Sequence, residues 1–402
     1  MKNKKGFNLL SVIIVICVTS IVSGLTTGVI VTNSYKNNLG LTYEDLVNDE
    51  SLNEFLEVYS SIVNNYYEDV DTSAMIDSAV DGMLDYLGED YTTYLDQNAT
   101  SELEERLAGS YQGIGIAIKD RVIDSITSGT PAAESGLQVG DIITGVNGID
   151  VTTKTNEEIS DLIKETKNSV DITVLRGEET LTFNVGIATI PISAVNYEML
   201  ENNIGYLQME IFSATLEEQV ANALSDLESQ GMQKLIIDLR NNTGGYLESA
   251  EKTASLFLEK GKLIYSLESK DTTAEYYDQT DDQTDYPIVI LINGQSASAA
   301  EILAAALKDS YGAIFVGEKS YGKGKVQQTY NLSDGSMAKY TSARWLRPNG
   351  SCIDGVGLIP DYVANMTYTY DETGVINGTI DSQLSKAIEV ISAMWCTFFA
   401  YL

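Results

Sequence analysis

The chain contains no histidine. Without an imidazole, a Ser-His-Asp triad, a Cys-His pair, an HExxH zinc site and a proximal haem ligand are all excluded, so any nucleophilic chemistry must recruit another base. Cysteine is nearly as scarce. Cys17, Cys352 and Cys396 stand far apart, without the paired spacing of zinc or redox motifs, and a Cys352–Cys396 bridge is left open because spacing cannot supply its geometry. Basic residues are also few: 25 Lys and Arg face 58 Asp and Glu, for a formal net charge of −33. Such a surface repels phosphate, which excludes nucleic acid as a partner and leaves anionic lipid approachable only through an inserted segment. No repeats or low-complexity tracts stand out. The 402 residues suffice for two or three domains with real cores.

Charge is absent between Lys5 and Lys36, and residues 7–32 are rich in Leu, Val and Ile. That run is long enough to cross about 30 Å of hydrocarbon. Lys2, Lys4 and Lys5 precede it and acids follow, so the positive-inside bias predicts a single-pass signal anchor in the cell membrane with everything downstream extracytoplasmic. A cleaved signal peptide is the competing reading, although its apolar core is ordinarily shorter. The expected organisation is a Lys cluster and anchor over residues 1–35, a helical region over 36–105, a β-rich domain over 106–190, an α/β layered domain over 191–370, and a C-terminal helix with an apolar tail over 371–402.

Leu52, Phe55, Leu56, Tyr59, Ile62 and Val63 follow the i, i+3, i+4 rhythm of an amphipathic helix, with a second helix expected over 73–87. Alternating strands are expected over 114–118, 142–146, 172–175 and 180–185, with one helix over 156–166. Strands at 204–211, 235–239, 288–292 and 313–317 then alternate with helices at 216–230, 246–259 and 299–309, the rhythm of an α/β layered domain. Residues 266–286 read as a long, polar, acidic loop at a mobile rim.

Three segments carry candidate chemistry. Residues 235–245 (LIIDLRNNTGG) read as a buried strand opening into a glycine turn. Residues 289–301 (VILINGQSASAAE) read as a strand, a sharp turn and a helix start, which would present Ser298 at the sheet's edge beside free backbone N–H groups. Ser298-Ala-Ala-Glu301 is equally an S-x-x-E capping box, so a purely structural cap stays open on local grounds. Residues 316–327 (VGEKSYGKGKVQ) place Lys323 between two glycines. A lysine can serve as general base only if burial lowers its pKa far below about 10.4. An ordinary solvated loop lysine is the alternative. The same stretch matches G-x-x-x-x-G-K, but Gly324 replaces the magnesium-holding Ser or Thr and the following residues read as a strand, which argues against a phosphate loop.

Upstream, Tyr111-Gln112-Gly113-Ile114-Gly115-Ile116, followed by GTPAAESG at 129–136 and LQVGDII at 137–143, resembles a PDZ domain of the bacterial protease type. In that family a peptide's C-terminus adds as a strand to the sheet edge, which here assigns peptide binding to Gln112, Gly113, Ile114, Gly115 and Ile116. Together with the three segments above, and with Arg347-Pro-Asn-Gly350 and Gly357-Leu-Ile-Pro-Asp361, the chain over about residues 50–365 resembles the C-terminal processing peptidases of family S41. The resemblance implies an α+β, multidomain protein with a crotonase/ClpP-like catalytic domain. It implies Ser298 as nucleophile, Lys323 as general base, Gln327 as the residue orienting that lysine, and the N–H groups of Gly244 and Ala299 as oxyanion hole, with no cofactor or metal. Thr243 stands where the family usually has proline, and Ala300 where serine is common; neither change removes a catalytic atom. Ser296 is an alternative nucleophile outside the matching position. Substrates with apolar C-termini are the implied partners, PDZ gating of the site and self-association through the helical ends are further implications, and a non-enzymatic membrane-anchored PDZ scaffold is the other function class. The apolar end, residues 394–402, would pack on the body or mimic a substrate tail.

Overall fold

The computed structural model describes residues 48–370 and 376–398. The apolar run at 7–32, and with it the expected anchor, lies outside the described residues. Among those described, no helix is long and apolar enough to cross a membrane. The chain divides into two units at Gly82. In the first, α1 (Glu50–Asn65) begins at Asp49, whose side chain accepts the Leu52 N–H, and buries none of its residues. Helix α2 (Thr72–Asp85) starts in this unit and runs across its boundary.

The second unit opens with β1 (Thr93–Leu95) and α3 (Gln97–Ala108), which is capped by Asp96 and ended by left-handed Gly109. Strand β2 (Ser110–Gly113) then enters the PDZ-like module. Strands β3 (Ile116–Lys119), β4 (Val122–Ile126), β5 (Ile142–Val146), β6 (Ile149–Asp150), β7 (Ser169–Arg176) and β8 (Glu179–Gly186) form one antiparallel sheet. Helices α4 (Pro131–Ser135) and α5 (Asn156–Lys164) accompany it, and β9 (Ala188–Pro191) returns to pair with β2. The expected strand at 114–118 begins two residues later, because Ile114 and Gly115 form the turn between β2 and β3. Helix α5 has a complete capping box between Thr155 and Glu158. Ile159 and Ile163, one turn apart, enter a core with Ile123, Ile143, Val146 and Val174.

The larger domain is built on a six-stranded sheet. Its strands are β10 (Val195–Leu200), β11 (Ile204–Met209), β12 (Lys234–Asp238), β15 (Ile288–Ile292), β16 (Ile314–Gly317) and β19 (Tyr362–Val363), in that spatial order and parallel from β11 onward. Crossovers α6 (Leu216–Ser229), α7 (Leu247–Ser255) and α8 (Ala299–Ala306) share a core with Leu235, Ile237, Ile290 and Ile292. Ile236, Val289, Leu291 and Val316 form a second core with Ala387, Val390 and Ile391 of α9 (Ser382–Phe398). Burial on both faces explains why these strands are unbroken apolar runs.

Strand β13 (Leu263–Ser269) and β14 (Thr273–Tyr277) form an antiparallel hairpin, so the expected loop at 266–286 is overturned in its first half. The hairpin extends a second sheet with β18 (Met337–Leu346), β1 and β17 (Lys325–Asn331). A sheet margin needs no alternating apolar face, which is why TAEYY reads as a polar rim. Helix α8 ends at Ala306, earlier than expected, and residues Leu307–Tyr311 close as a π-turn capped by left-handed Gly312. A hairpin of β20 (Thr367–Tyr370) and β21 (Ile376–Ile380) precedes α9. Cys352 is a free thiol. The side chains of 395–402, including Cys396, lie outside the described residues.

Candidate active site

The three sequence segments meet at the carboxyl ends of β12, β15 and β16. Asn293 Oδ1 accepts the Asn241 N–H at 3.0 Å, and Ala297 N–H donates to Asn242 O at 3.0 Å, joining the turns after β12 and β15. Ser296 Oγ, 1% exposed, donates to Leu239 O at 2.7 Å and accepts the Asn293 N–H at 3.0 Å. It is buried and committed to structure, so Ser298 is the hydroxyl left facing the cavity.

Ser298 takes φ 56°, ψ −120°, a conformation that favours glycine, where an L side chain costs on the order of 1–3 kcal/mol. The turn lifts its side chain over the start of α8. Gly244 lies directly against it: a Cβ there would stand 2.9 Å from both Ala297 O and Ser298 Cβ. The Ala299 N–H meets no acceptor among the described residues, as expected for the first residue of a helix. The Gly244 N–H is engaged, donating to Asn242 Oδ1 at 2.8 Å, while Asn242 Nδ2 donates to Met209 O at 2.8 Å.

Lys323 reaches the same cavity, of about 570 Å³, from the loop before β17. Its pKa is pushed down by burial first and by the Lys339 ammonium second, with Glu89 and Glu301 pulling the other way. Its Nζ lies 4.7 Å from the centre of the Tyr91 ring. Burial, then the neighbouring Tyr321, pushes the Tyr91 phenol up, so the ring that the amine meets is neutral. Gln327 lines the cavity too, but its amide donates to Thr341 Oγ1 at 3.3 Å and not to Lys323.

Glu301, fully buried, is the group that sequence reasoning saw only as a cap. Its Oε2 accepts the N–H groups of Ser298 and Lys323, each at 2.9 Å. Its Oε1 accepts Ser320 Oγ at 2.5 Å and the Gly322 N–H at 2.7 Å. Burial pushes this carboxyl's pKa up, against the pull of these four donors. Ser320 Oγ in turn accepts the Leu358 N–H at 2.6 Å, which gives the GLIPD motif its place. The sequence signal for Glu301 was its position at the third residue of α8; its remaining partners are loop N–H groups that any residue type carries. Asn242 lies within the 235–245 segment but carries no role there, and Tyr91 and Lys339 had no such signal. Among the described residues, no group of three or more Cys, Asp or Glu side chains could hold a metal ion.

The PDZ-like module presents a smaller groove between β3 and α5. Gln112, Gly113, Ile114, Gly115 and Ile116 all line it, facing Ile163. Gly115 has φ 89°, and a side chain there would run into Thr130. Gln112 directs its amide to Thr189 Oγ1, 2.7 Å away.

The comparisons with known proteins agree with this architecture. The family model described as Peptidase family S41 matches residues 203–364, the PDZ domain model matches 103–175, and a model described as Activating protease CtpB N-terminal domain matches 29–99. The carboxy-terminal processing protease CtpA of Bacillus subtilis (strain 168) is 33% identical over 360 residues, covering 85% of this chain and 77% of that protein. A protein described as "Probable CtpA-like serine protease" from Staphylococcus aureus (strain N315) is 34% identical over 348 residues, covering 85% and 69%. The photosystem II D1 C-terminal processing protease superposes with a TM-score of 0.47 at 27% identity, over 79% of this chain and 88% of that one. The chain is a serine-type endopeptidase with a PDZ domain. It belongs to peptidase family S41, alongside the carboxy-terminal processing proteases.

Proposed function

We propose that the chain is a membrane-anchored, extracytoplasmic endopeptidase that cleaves proteins recognised by their C-terminal tails, using Ser298 and Lys323 as a catalytic dyad. The anchor is residues 7–32, and the domains divide at about residues 36, 106, 191 and 371. The observation that carries the dyad is the pairing of a strained, cavity-facing Ser298 with a desolvated Lys323, both tied by their backbones to Glu301.

Neutral Lys323 takes the Ser298 proton, and the oxygen attacks the scissile carbonyl. The resulting anion is held by the N–H groups of Ala299 and Gly244. The lysine ammonium then protonates the leaving amine, and the amine, neutral again, activates the water that releases the acyl group. Two parts must move first. The Gly244 peptide must turn its N–H away from Asn242, and Lys323 must leave the Tyr91 ring for Ser298, where Gln327 can orient it. The described arrangement is therefore read as a resting one. A peptide tail adding along β3, with its carboxylate at the Gln112–Ile116 turn, is the proposed recognition step.

The test is incubation of the full-length chain with an unfolded protein substrate, beside Ser298→Ala and Lys323→Ala. Cleavage by the parent alone supports the dyad. Equal cleavage by all three refutes it, and cleavage by none favours the PDZ scaffold. Deletion of residues 1–35 should release the protein from the membrane fraction, and retention would refute the anchor.

A further inference from the structure

The cavity beside Ser298 reverses the charge of the molecule around it. The chain carries 58 acidic and 25 basic residues, yet Arg106, Lys323, Lys325 and Lys339 line this cavity against one acid, Glu248. Glu248 is paired with Lys252 at 2.8 Å. Arg106 and Lys339 form no ion pair among the described residues, and Lys325 reaches Glu89 only at 3.6 Å. If Lys323 is neutral, three fixed cations remain, joined by the positive end of α8 with its free Ala299 N–H. The cations arrive on three separate elements. Arg106 projects from α3, Lys325 from β17, and Lys339 from β18 at the register position opposite both Thr93 and Thr329. Bringing like charges together is unfavourable unless an anion neutralises them, which points to an anionic occupant.

Strand β17 also indicates how that occupant lies. Among the described residues it pairs only with β18, which leaves its other edge without a strand partner there, and its residues 325–329 all line the cavity. An extended chain can pair with such an edge and direct alternate side chains toward the cations.

We infer that this cavity is an acidic subsite: a substrate segment lies extended along that edge of β17, and an Asp or Glu side chain close to the scissile bond is held by Arg106, Lys325 and Lys339. The inference rests on the peptidase reading above, and extends it from the tail that the PDZ groove selects to the sequence around the cleaved bond. A polypeptide carboxylate is favoured over a lipid headgroup because the cations surround a partly enclosed cavity bordered by that strand edge, where an extended backbone fits.

The test uses matched quenched-fluorescent peptides that differ by Glu or Gln at one position, scanned across both sides of the cleaved bond. Two quantities are read: kcat/KM with the full-length chain, and binding to full-length Ser298→Ala by fluorescence anisotropy. At one position or more, Glu should be preferred about tenfold, the equivalent of about 1.4 kcal/mol. The preference should shrink at high salt and collapse in Arg106→Gln/Lys339→Gln. Arg106→Glu/Lys339→Glu should instead favour Lys at that position. Equal affinity for Glu and Gln peptides at every position, or a Glu preference that survives the neutralised pair, would overturn the subsite. If the parent chain cleaves no peptide, the dyad reading fails, while the anisotropy ratios still decide the subsite.

Discussion

The backbone N–H groups of Ser298 and Lys323 converge on one oxygen, Oε2 of Glu301, at 2.9 Å each. The turn that strains Ser298 and the loop that delivers Lys323 are thereby fixed to a common buried anion, whose other oxygen holds Ser320 and Gly322. A lysine on a flexible glycine-flanked loop gains a defined origin this way, even while its amine rests over Tyr91.

Glu301→Gln should damage both stability and turnover. An amide in place of one oxygen presents N–H to N–H, leaving donors unsatisfied at a cost of about 2 kcal/mol or more. Displacement of serine and lysine by a fraction of an ångström should lower kcat on the order of a hundredfold. Urea denaturation and steady-state kinetics measure the two losses. Ser320→Ala should give a smaller loss in each, because the three backbone N–H donors remain.

Ser298→Gly should be inactive and more stable than the parent. Glycine accepts φ 56° without the side chain's strain, so a gain of about 1 kcal/mol is expected from chemical denaturation. Ser296→Ala should do the reverse. It keeps turnover but loses about 1–3 kcal/mol, since Leu239 O and the Asn293 N–H lose their buried partner.

Two substitutions should move the acid limb of the kcat/KM profile in opposite directions. Activity requires neutral Lys323, so it rises as pH passes through that lysine's pKa. Lys339→Gln removes a positive charge that pushes this pKa down; the pKa rises and the limb moves to higher pH. Tyr91→Leu keeps the apolar cover but removes the ring that stabilises the ammonium, so the limb moves to lower pH. Shifts in the same direction, or none, would contradict the placement of Lys323.

The buried parallel strands and the three catalytic segments were legible because each depends on local pattern. An apolar run such as LIIDL betrays burial on both faces, and a glycine pair or an S-x-x-E start marks a turn. The family resemblance selects Ser298 over Ser296 by position, and packing supplies the physical reason, since the Ser296 hydroxyl is spent on Leu239 O. The reach of Glu301 was hidden because its partners are mostly backbone groups, which leave no mark in the sequence. Tyr91 and Lys339 enter through strand pairing in the second sheet, where β1 meets β18, and no local pattern announces that meeting. The half-hidden hairpin of β13 and β14 was lost because a polar strand at a sheet margin looks like a loop.

The protonation state of the Lys323 amine tests the central claim most directly. Nitrogen NMR of 15N-lysine-labelled full-length chain, assigned with Lys323→Arg and followed as a function of pH with a non-cleavable, non-covalently bound substrate-like peptide in the site, reads it. A neutral Lys323 amine at neutral pH before acylation, hydrogen-bonded to Ser298, is the predicted result. An amine that stays protonated through neutral pH and into the ordinary lysine range, with the peptide engaged, would contradict the account.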